Sequence, residues 1–352
     1  MKIAILTIHH VPNYGAMMQA FSLKNSIRQL GFDCDVVNYQ PKTATDFYRI
    51  RGKFLGRLIQ SIRYKRFKKF VDSNIISDGR PVLTTTEDVY DFIANYDVVI
   101  CGSDQIWHAN GFRGCDRTFF LGSSDFPSTK KISYAPSIGS CDPLAYLQSW
   151  PECGKWLKDF DAISVRDASS QKMVERFGLP TPELVCDPTL LPAAISEFSA
   201  ANSGKQNLLL VYGTPPLEYA EKICSIADKY RLKIVSVGRR CKFSHKDYLF
   251  ANPKTWATLF SNAKIVVTNK FHGTQLSIRN NALPFYIGTA EKKAKVHDSL
   301  NRYGLINQWI ESPDDLSETN IEAGMAQLKN VESLRNDIAS KSLAWLLSLI
   351  HI

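Results

Sequence analysis

Short apolar runs alternate with longer stretches of helical period along almost the whole chain, and a polar signature closes nearly every apolar run. In the first half, runs at 3–8, 34–38, 98–101, 131–134, 162–165 and 184–186 read as buried strands. The pattern restarts with runs at 208–212, 233–237, 265–268 and 284–287. Helical spacing fills the intervals at 16–30, 169–177, 218–230 and 253–262, and again from about 320 onward. Strict β/α alternation predicts parallel sheets with helices on both faces. Between 193 and 206 the residues turn small and polar, as a linker would. The expected organisation is therefore a domain at 1–195, a second at 206–330, and a C-terminal helix at 331–352. Two such sheets would face each other across a cleft. In open α/β sheets ligands bind beyond the carboxyl ends of the strands, and the polar signatures fall there.

A chain of 352 residues with 44% hydrophobic and 22% charged residues is ordinary for a two-domain globular protein. Its 8 cysteines are scattered without a CxxC pair, which points to reduced thiols in a cytoplasmic setting and away from a zinc knuckle. The apolar start at 1–8 is too short for a leader and reads as a first strand. No apolar stretch is long enough to span a membrane. The net charge is +9, and nine basic residues with no acid lie between Arg49 and Lys69. Leu55, Leu58, Ile59, Ile62 and Phe70 interleave there at helical spacing. Such a segment suits a helix packed on its own domain or a peripheral contact with an anionic membrane surface. Nothing else resembles a nucleic-acid module, so nucleic acid is not an expected partner.

Segment 264–278 predicts a buried strand, a sharp turn and a helix, with Lys270, His272 and Gly273 in the turn. A helix N-terminus presents unpaired N–H groups and a partial positive charge, which suits a small anion. A glycine at that mouth would let a ligand approach the backbone. The plain alternative is a βα turn with a hydrogen-bonded histidine.

Six motifs then occur in order, mostly at strand ends: Asn13-Tyr-Gly-Ala-Met-Met-Gln-Ala20, Gly102-Ser-Asp-Gln-Ile-Trp107, Ser133-Tyr-Ala-Pro-Ser-Ile-Gly139, Ser164-Val-Arg-Asp167, Asp187-Pro-Thr-Leu-Leu191 and Phe271-His-Gly273. Together they resemble the polysaccharide pyruvyl transferase family over roughly residues 2–310. The resemblance implies two Rossmann-like domains arranged as in a GT-B glycosyltransferase. It also implies phosphoenolpyruvate as donor and a sugar as acceptor, the sugar often carried on a polyprenyl lipid at the inner membrane face. The product would be a pyruvate ketal. Family members commonly carry Asp and then Ser or Arg before the His-Gly pair, where this chain has Asn269 and Lys270. Lysine keeps a cation but lacks arginine's bidentate fork.

On this reading His272 is the expected general acid, because imidazole exchanges a proton near neutral pH. Lys270, Gly273 and Arg166 are expected to bind the donor, with Lys292, Lys293 and Lys295 as a second cationic cluster or an ordinary basic loop. Asp104 and Asp187 are expected to activate or orient the acceptor hydroxyl, or else to cap a helix and form a turn. Asn13, Tyr14, Gly15, Ser103 and Trp107 are expected on the acceptor side. Tyr134 and Trp256 join Trp107 as aromatics for sugar stacking or core packing. The His9–His10 pair is expected to line the cleft rather than to hold a metal; neither a metal nor a cofactor is expected. Two rival readings remain: a glycosyltransferase holding a nucleotide sugar at Gly213–Thr214 and Gly238–Arg240, and a non-catalytic membrane-docked subunit.

Overall fold

A computed structural model describes residues 1–48, 54–76, 79–109, 114–122, 129–192, 207–288 and 293–350, without the side chains of 47, 54–56 and 293. The expected linker, Lys292 and the basic residues 49, 51 and 53 lie outside the described residues. The chain forms two compact units: Met1–Ala194 with Ile338–Ile352, and Ile195–Asp337.

The first unit holds a six-stranded sheet in the order β2-β1-β3-β4-β5-β6. The strands are β1 (Lys2–Leu6), β2 (Asp33–Val36), β3 (Val98–Cys101), β4 (Lys130–Ser133), β5 (Ala162–Val165) and β6 (Glu183–Leu184), every neighbouring pair being parallel. Ile3–Leu6 and Val99–Cys101 are fully buried, as central parallel strands covered on both faces must be. Helix α1 (Tyr14–Gln29) follows β1. The β2–β3 connection carries three helices: α2 (Lys42–Phe47), α3 (Phe54–Asn74) and α4 (Thr86–Ile93). The expected basic helix is therefore real. Its Phe67 and Phe70 are buried against Tyr14 and Phe21 of α1, at ring separations of 4.6 and 5.7 Å. Helices α5 (Pro143–Ser149), α6 (Glu152–Lys158) and α7 (Ala168–Arg176) complete this part of the chain.

The second unit has the sheet order β12-β11-β10-β7-β8-β9, again all parallel. Its strands are β7 (Leu208–Tyr212), β8 (Lys233–Val237), β9 (Lys246–Tyr248), β10 (Ile265–Thr268), β11 (Leu283–Ile287) and β12 (Trp309–Ile310). Counted from β7, this is the Rossmann order 3-2-1-4-5-6, and the strand order reverses between β7 and β10. Helices α8 (Ala220–Lys229), α9 (Pro253–Asn262), α10 (Phe271–Arg279) and α11 (Lys293–Arg302) connect the strands. The last helix, α12 (Glu318–Ile350), starts close to the expected 320 and so runs through the boundary expected at 331. Its residues to Asp337 belong to the second unit, and those from Ile338 to the first. There the Ser342 hydroxyl accepts the Cys186 N–H at 2.9 Å, and the Leu349 carbonyl accepts the Lys130 ammonium at 2.7 Å. Edge strands β9 and β12 are absent from the expectation because three and two residues are too few for a pattern to show. All eight cysteines are free thiols. No helix among the described residues is long and apolar enough to cross a membrane.

His9, just past β1, is fully buried with its ring nitrogens 3.1 Å from the Thr7 carbonyl and 3.2 Å from the Asn38 amide oxygen. Burial lowers its pKa below the ordinary 6.5, against the pull of those two contacts. The folded protein thus holds a neutral imidazole that the unfolded chain protonates on acidification. Stability is intact above about pH 6.5 and falls as pH drops below it. Urea titrations at about pH 7.5 and about pH 5.5 should show that loss, and His9→Gln should shrink the difference between the two midpoints. An equal pH slope in both proteins would exclude His9 as its source.

Candidate active site

In the second unit the chemistry gathers where the strand order reverses. Strand β10 is fully buried, and its last residue sets the turn. The Thr268 hydroxyl donates to the Tyr212 carbonyl at 2.7 Å and accepts the Lys270 N–H at 3.1 Å. Lys270 becomes the N-cap residue of α10, in extended conformation, with no side-chain cap and no acid in the first turn. An α-helix end of this kind favours an anion. His272 lies in that first turn, 8% exposed, edge-on to Phe271 at 5.3 Å. The Lys295 ammonium stands 5.9 Å from the centre of the Phe271 ring. Helix α11, which carries Lys295, is tied to α10 by the Gln275 amide donating to the Ser299 hydroxyl at 2.7 Å. Lys295 thus stands beside Phe271, the residue between Lys270 and His272. Lys295 was one of the expected cationic cluster, with an ordinary basic loop as the alternative.

Gly273 has a different cause from the one expected. A Cβ there would fall 2.2 Å from the Thr268 hydroxyl, so the glycine makes room for the turn's own threonine rather than for a ligand. Asn269 also has a structural cause. Its amide nitrogen donates to the Thr214 carbonyl at 3.2 Å, and its oxygen faces the Thr214 N–H at 3.4 Å. Only an amide can answer both groups. Gly213, at φ +114°, is required beside it, since a Cβ would meet the Asn269 oxygen at 2.1 Å.

In the first unit a second cluster forms at the carboxyl ends of β3, β5 and β6. Arg166 donates through one nitrogen to Asp187 at 2.9 Å and through another to Asp104 at 3.2 Å. The side chains of Arg166, Asp187 and Asp104 are 2%, 1% and 13% exposed. Burial opposes the Arg166 charge, but the Asp104, Asp187 and Asp167 carboxylates outweigh it and hold its pKa above the ordinary value. This differs from the expected anion-binding cation, because both arms of the fork rest on protein carboxylates. Asp187 also accepts the Thr189 N–H and hydroxyl, so it shapes the turn as well. Asp104 sits in the left-handed region at φ 72°, and its carbonyl accepts the Ser137 N–H at 2.9 Å.

Several expected acceptor residues face inward. Trp107 is fully buried, stacks on Phe120 at 5.4 Å and donates its indole N–H to the Phe119 carbonyl at 3.0 Å. Tyr134 and Trp256 are also fully buried. These three rings are core, as the apolar cost of exposing them dictates. Ser103 is buried with its hydroxyl donating to the Ala135 carbonyl. Asn13 caps α1 through the Gly15 N–H, while Tyr14 and Gly15 lie beneath the surface. His10, by contrast, lines two cavities with Gln40 and Tyr64, and no motif marks either of those partners.

A two-unit α/β architecture with a parallel, doubly wound sheet in each unit defines a GT-B-like protein. The chain belongs to the polysaccharide pyruvyl transferase family, whose model matches residues 13–288. No curated protein matches the sequence. Among solved structures, the UDP-GlcNAc 2-epimerase of Neisseria meningitidis bound to UDP-GlcNAc aligns at TM-score 0.54 and 9% identity, covering 100% of both chains. A UDP-N-acetylglucosamine 2-epimerase from Listeria monocytogenes, described as putative, aligns at TM-score 0.50 and 12% identity over 96% of this chain and 90% of its own. At these identities the likeness is one of fold.

Two outcomes follow from the geometry. Asn269→Asp loses the donor to Thr214 and should cost about 1 kcal/mol in urea unfolding; no cost would mean the turn holds without it. Arg166→Ala leaves buried carboxylates uncompensated and should cost about 3–5 kcal/mol. A drop under about 1 kcal/mol would show that the pair is not a structural tie.

Proposed function

We propose that the protein transfers the enolpyruvyl group of phosphoenolpyruvate to two hydroxyls of one sugar, in a surface polysaccharide or its lipid-linked precursor. A pyruvate ketal forms and inorganic phosphate leaves. Of the two hydroxyl protons, one ends on the new methyl group and the other on phosphate. The observation that carries this reading is the family match, together with Lys270, His272 and Lys295 gathered at the uncapped start of α10.

Phosphoenolpyruvate presents a carboxylate and a phosphate on a small rigid frame. The α10 N-terminus and the Lys270 and Lys295 ammonium groups supply separated positive seats for them. His272 delivers a proton to the methylene carbon, leaving C2 electrophilic, and a sugar hydroxyl attacks it. Asp104, the most exposed member of the Arg166 cluster, orients or deprotonates a hydroxyl of the acceptor. In this reading lysines and helix dipole neutralise the donor, so no metal or cofactor is assigned. Peripheral placement at the inner face of the cell membrane belongs to the same proposal. It is supported by the outer side of α3, where Arg57, Lys65, Arg66 and Lys69 are exposed beside Leu58 and Tyr64, 48% and 43% exposed.

The test is phosphate release from phosphoenolpyruvate with and without a panel of aryl and lipid-linked galactosides, glucosides and mannosaminides. Acceptor-dependent release with the mass of a ketal supports the reading. No release with any acceptor, and no rise in melting temperature with phosphoenolpyruvate, would remove it. His272→Ala should abolish turnover, by at least about a hundredfold, in a protein that melts as the wild type does; near-native turnover would take His272 out of the chemistry.

A further inference from the structure

Between β2 and β3 the chain makes an excursion longer than a crossover requires. One helix is enough to join two parallel strands, and α4 could serve. Helices α2 and α3 are extra, and together with the turn after β1 they wall a cavity of about 350 Å3. Its polar lining comprises His10, Gln40, Thr45, Asp46, Tyr48 and Tyr64. A second cavity of about 140 Å3 shares His10, Gln40 and Tyr64 with it and is also lined by Lys68.

We propose that this cavity is the acceptor subsite, holding a pyranose through its hydroxyl groups. The inference rests on the reading that a sugar is the acceptor. Three observations carry it. The volume lies in the range of about 300–1,000 Å3 common to small-molecule sites. An imidazole, a carboxylate, an amide and a hydroxyl alternate with two tyrosine rings, and that set both donates and accepts hydrogen bonds while offering flat apolar faces. Finally, His10 follows β1 and Gln40 follows β2, so the cavity opens at the carboxyl end of the sheet, beside the reversal of strand order between β1 and β3. Tyr64 is its exposed wall and lies one turn from Lys68 on α3, so the sugar would sit against the basic side of that helix.

The full-length protein would be titrated with methyl hexosides, read by saturation-transfer NMR, as wild type, Tyr64→Ala and Asp46→Asn. Tyr64 and Asp46 are surface residues, so both variants should fold, and the melting-temperature rise with phosphoenolpyruvate checks that the second unit is intact. The expected result is binding of at least one hexoside, weakened tenfold or more in each variant, with the phosphoenolpyruvate response unchanged. Unchanged hexoside binding in both variants, or no hexoside binding at all, overturns the subsite. The same hexose displayed on vesicles separates the two sources of acceptor: tighter binding there marks a membrane-borne sugar, and equal binding marks a free one. Turnover keeps the two readings apart. If phosphate release requires an acceptor whose KM neither variant changes, the cavity assignment falls and the transfer reaction stands. Tyr64-dependent hexoside binding without any release leaves the cavity standing and removes the reaction.

Discussion

The interaction that most constrains the candidate site of the first unit is the fork of Arg166 between Asp104 and Asp187. It joins the ends of β3, β5 and β6, of which β3 lies far from the other two in the sequence, with charge in the buried interior. A buried ion pair contributes little net stability against an apolar replacement, since desolvation offsets attraction. What it contributes is position: Asp104 cannot rotate away without giving up its bond to one arm of the guanidinium. The left-handed backbone at Asp104 and the bond from its carbonyl to Ser137 fix the same residue from the other side.

The second unit holds its turn with neutral groups. Thr268 spends one hydroxyl on two backbone partners, Gly273 leaves the space that hydroxyl needs, and Asn269 ties the neighbouring turn through Thr214. None of these consumes a charge.

The sequence revealed the fold readily because central parallel strands must be apolar on both faces, and β3, β5, β7, β8 and β10 fall at the expected residues. The order of the strands was not legible, since pairing is a long-range property that no local period encodes. Among site residues, His272 and Lys270 were placed by the strand-turn-helix pattern. Trp107 and Ser103 were expected on the acceptor side yet turn inward, and for one reason: a polar or aromatic residue beside a strand end looks alike whether it points at a ligand or back into the core. Which way it points depends on partners such as Phe119 and Ala135 that come from elsewhere in the chain. The cavity residues Tyr64 and Asp46 stand in helices with no motif, so only the folded chain shows them together.

Charge bears on which unit suits each of the two proposed substrates. Around Arg166 three carboxylates, from Asp104, Asp167 and Asp187, surround one guanidinium. A dianionic phosphate brought to about 4 Å of an uncompensated carboxylate would meet repulsion of about 4 kcal/mol per charge pair even at an effective dielectric constant of 20. A sugar hydroxyl placed there has the opposite experience, since a carboxylate is a strong acceptor for its proton. At the start of α10 the balance is reversed, with helix dipole and two lysines and no acid in the first turn. The proposed donor thus suits the second unit and the proposed acceptor the first. On this argument Arg166, expected with the donor on sequence grounds, belongs instead with the proposed acceptor, since its bond holds Asp104 in place. The two roles make opposite demands on kinetics: loss of a donor-binding cation raises KM for phosphoenolpyruvate, whereas loss of the tie to Asp104 lowers kcat and leaves that KM alone.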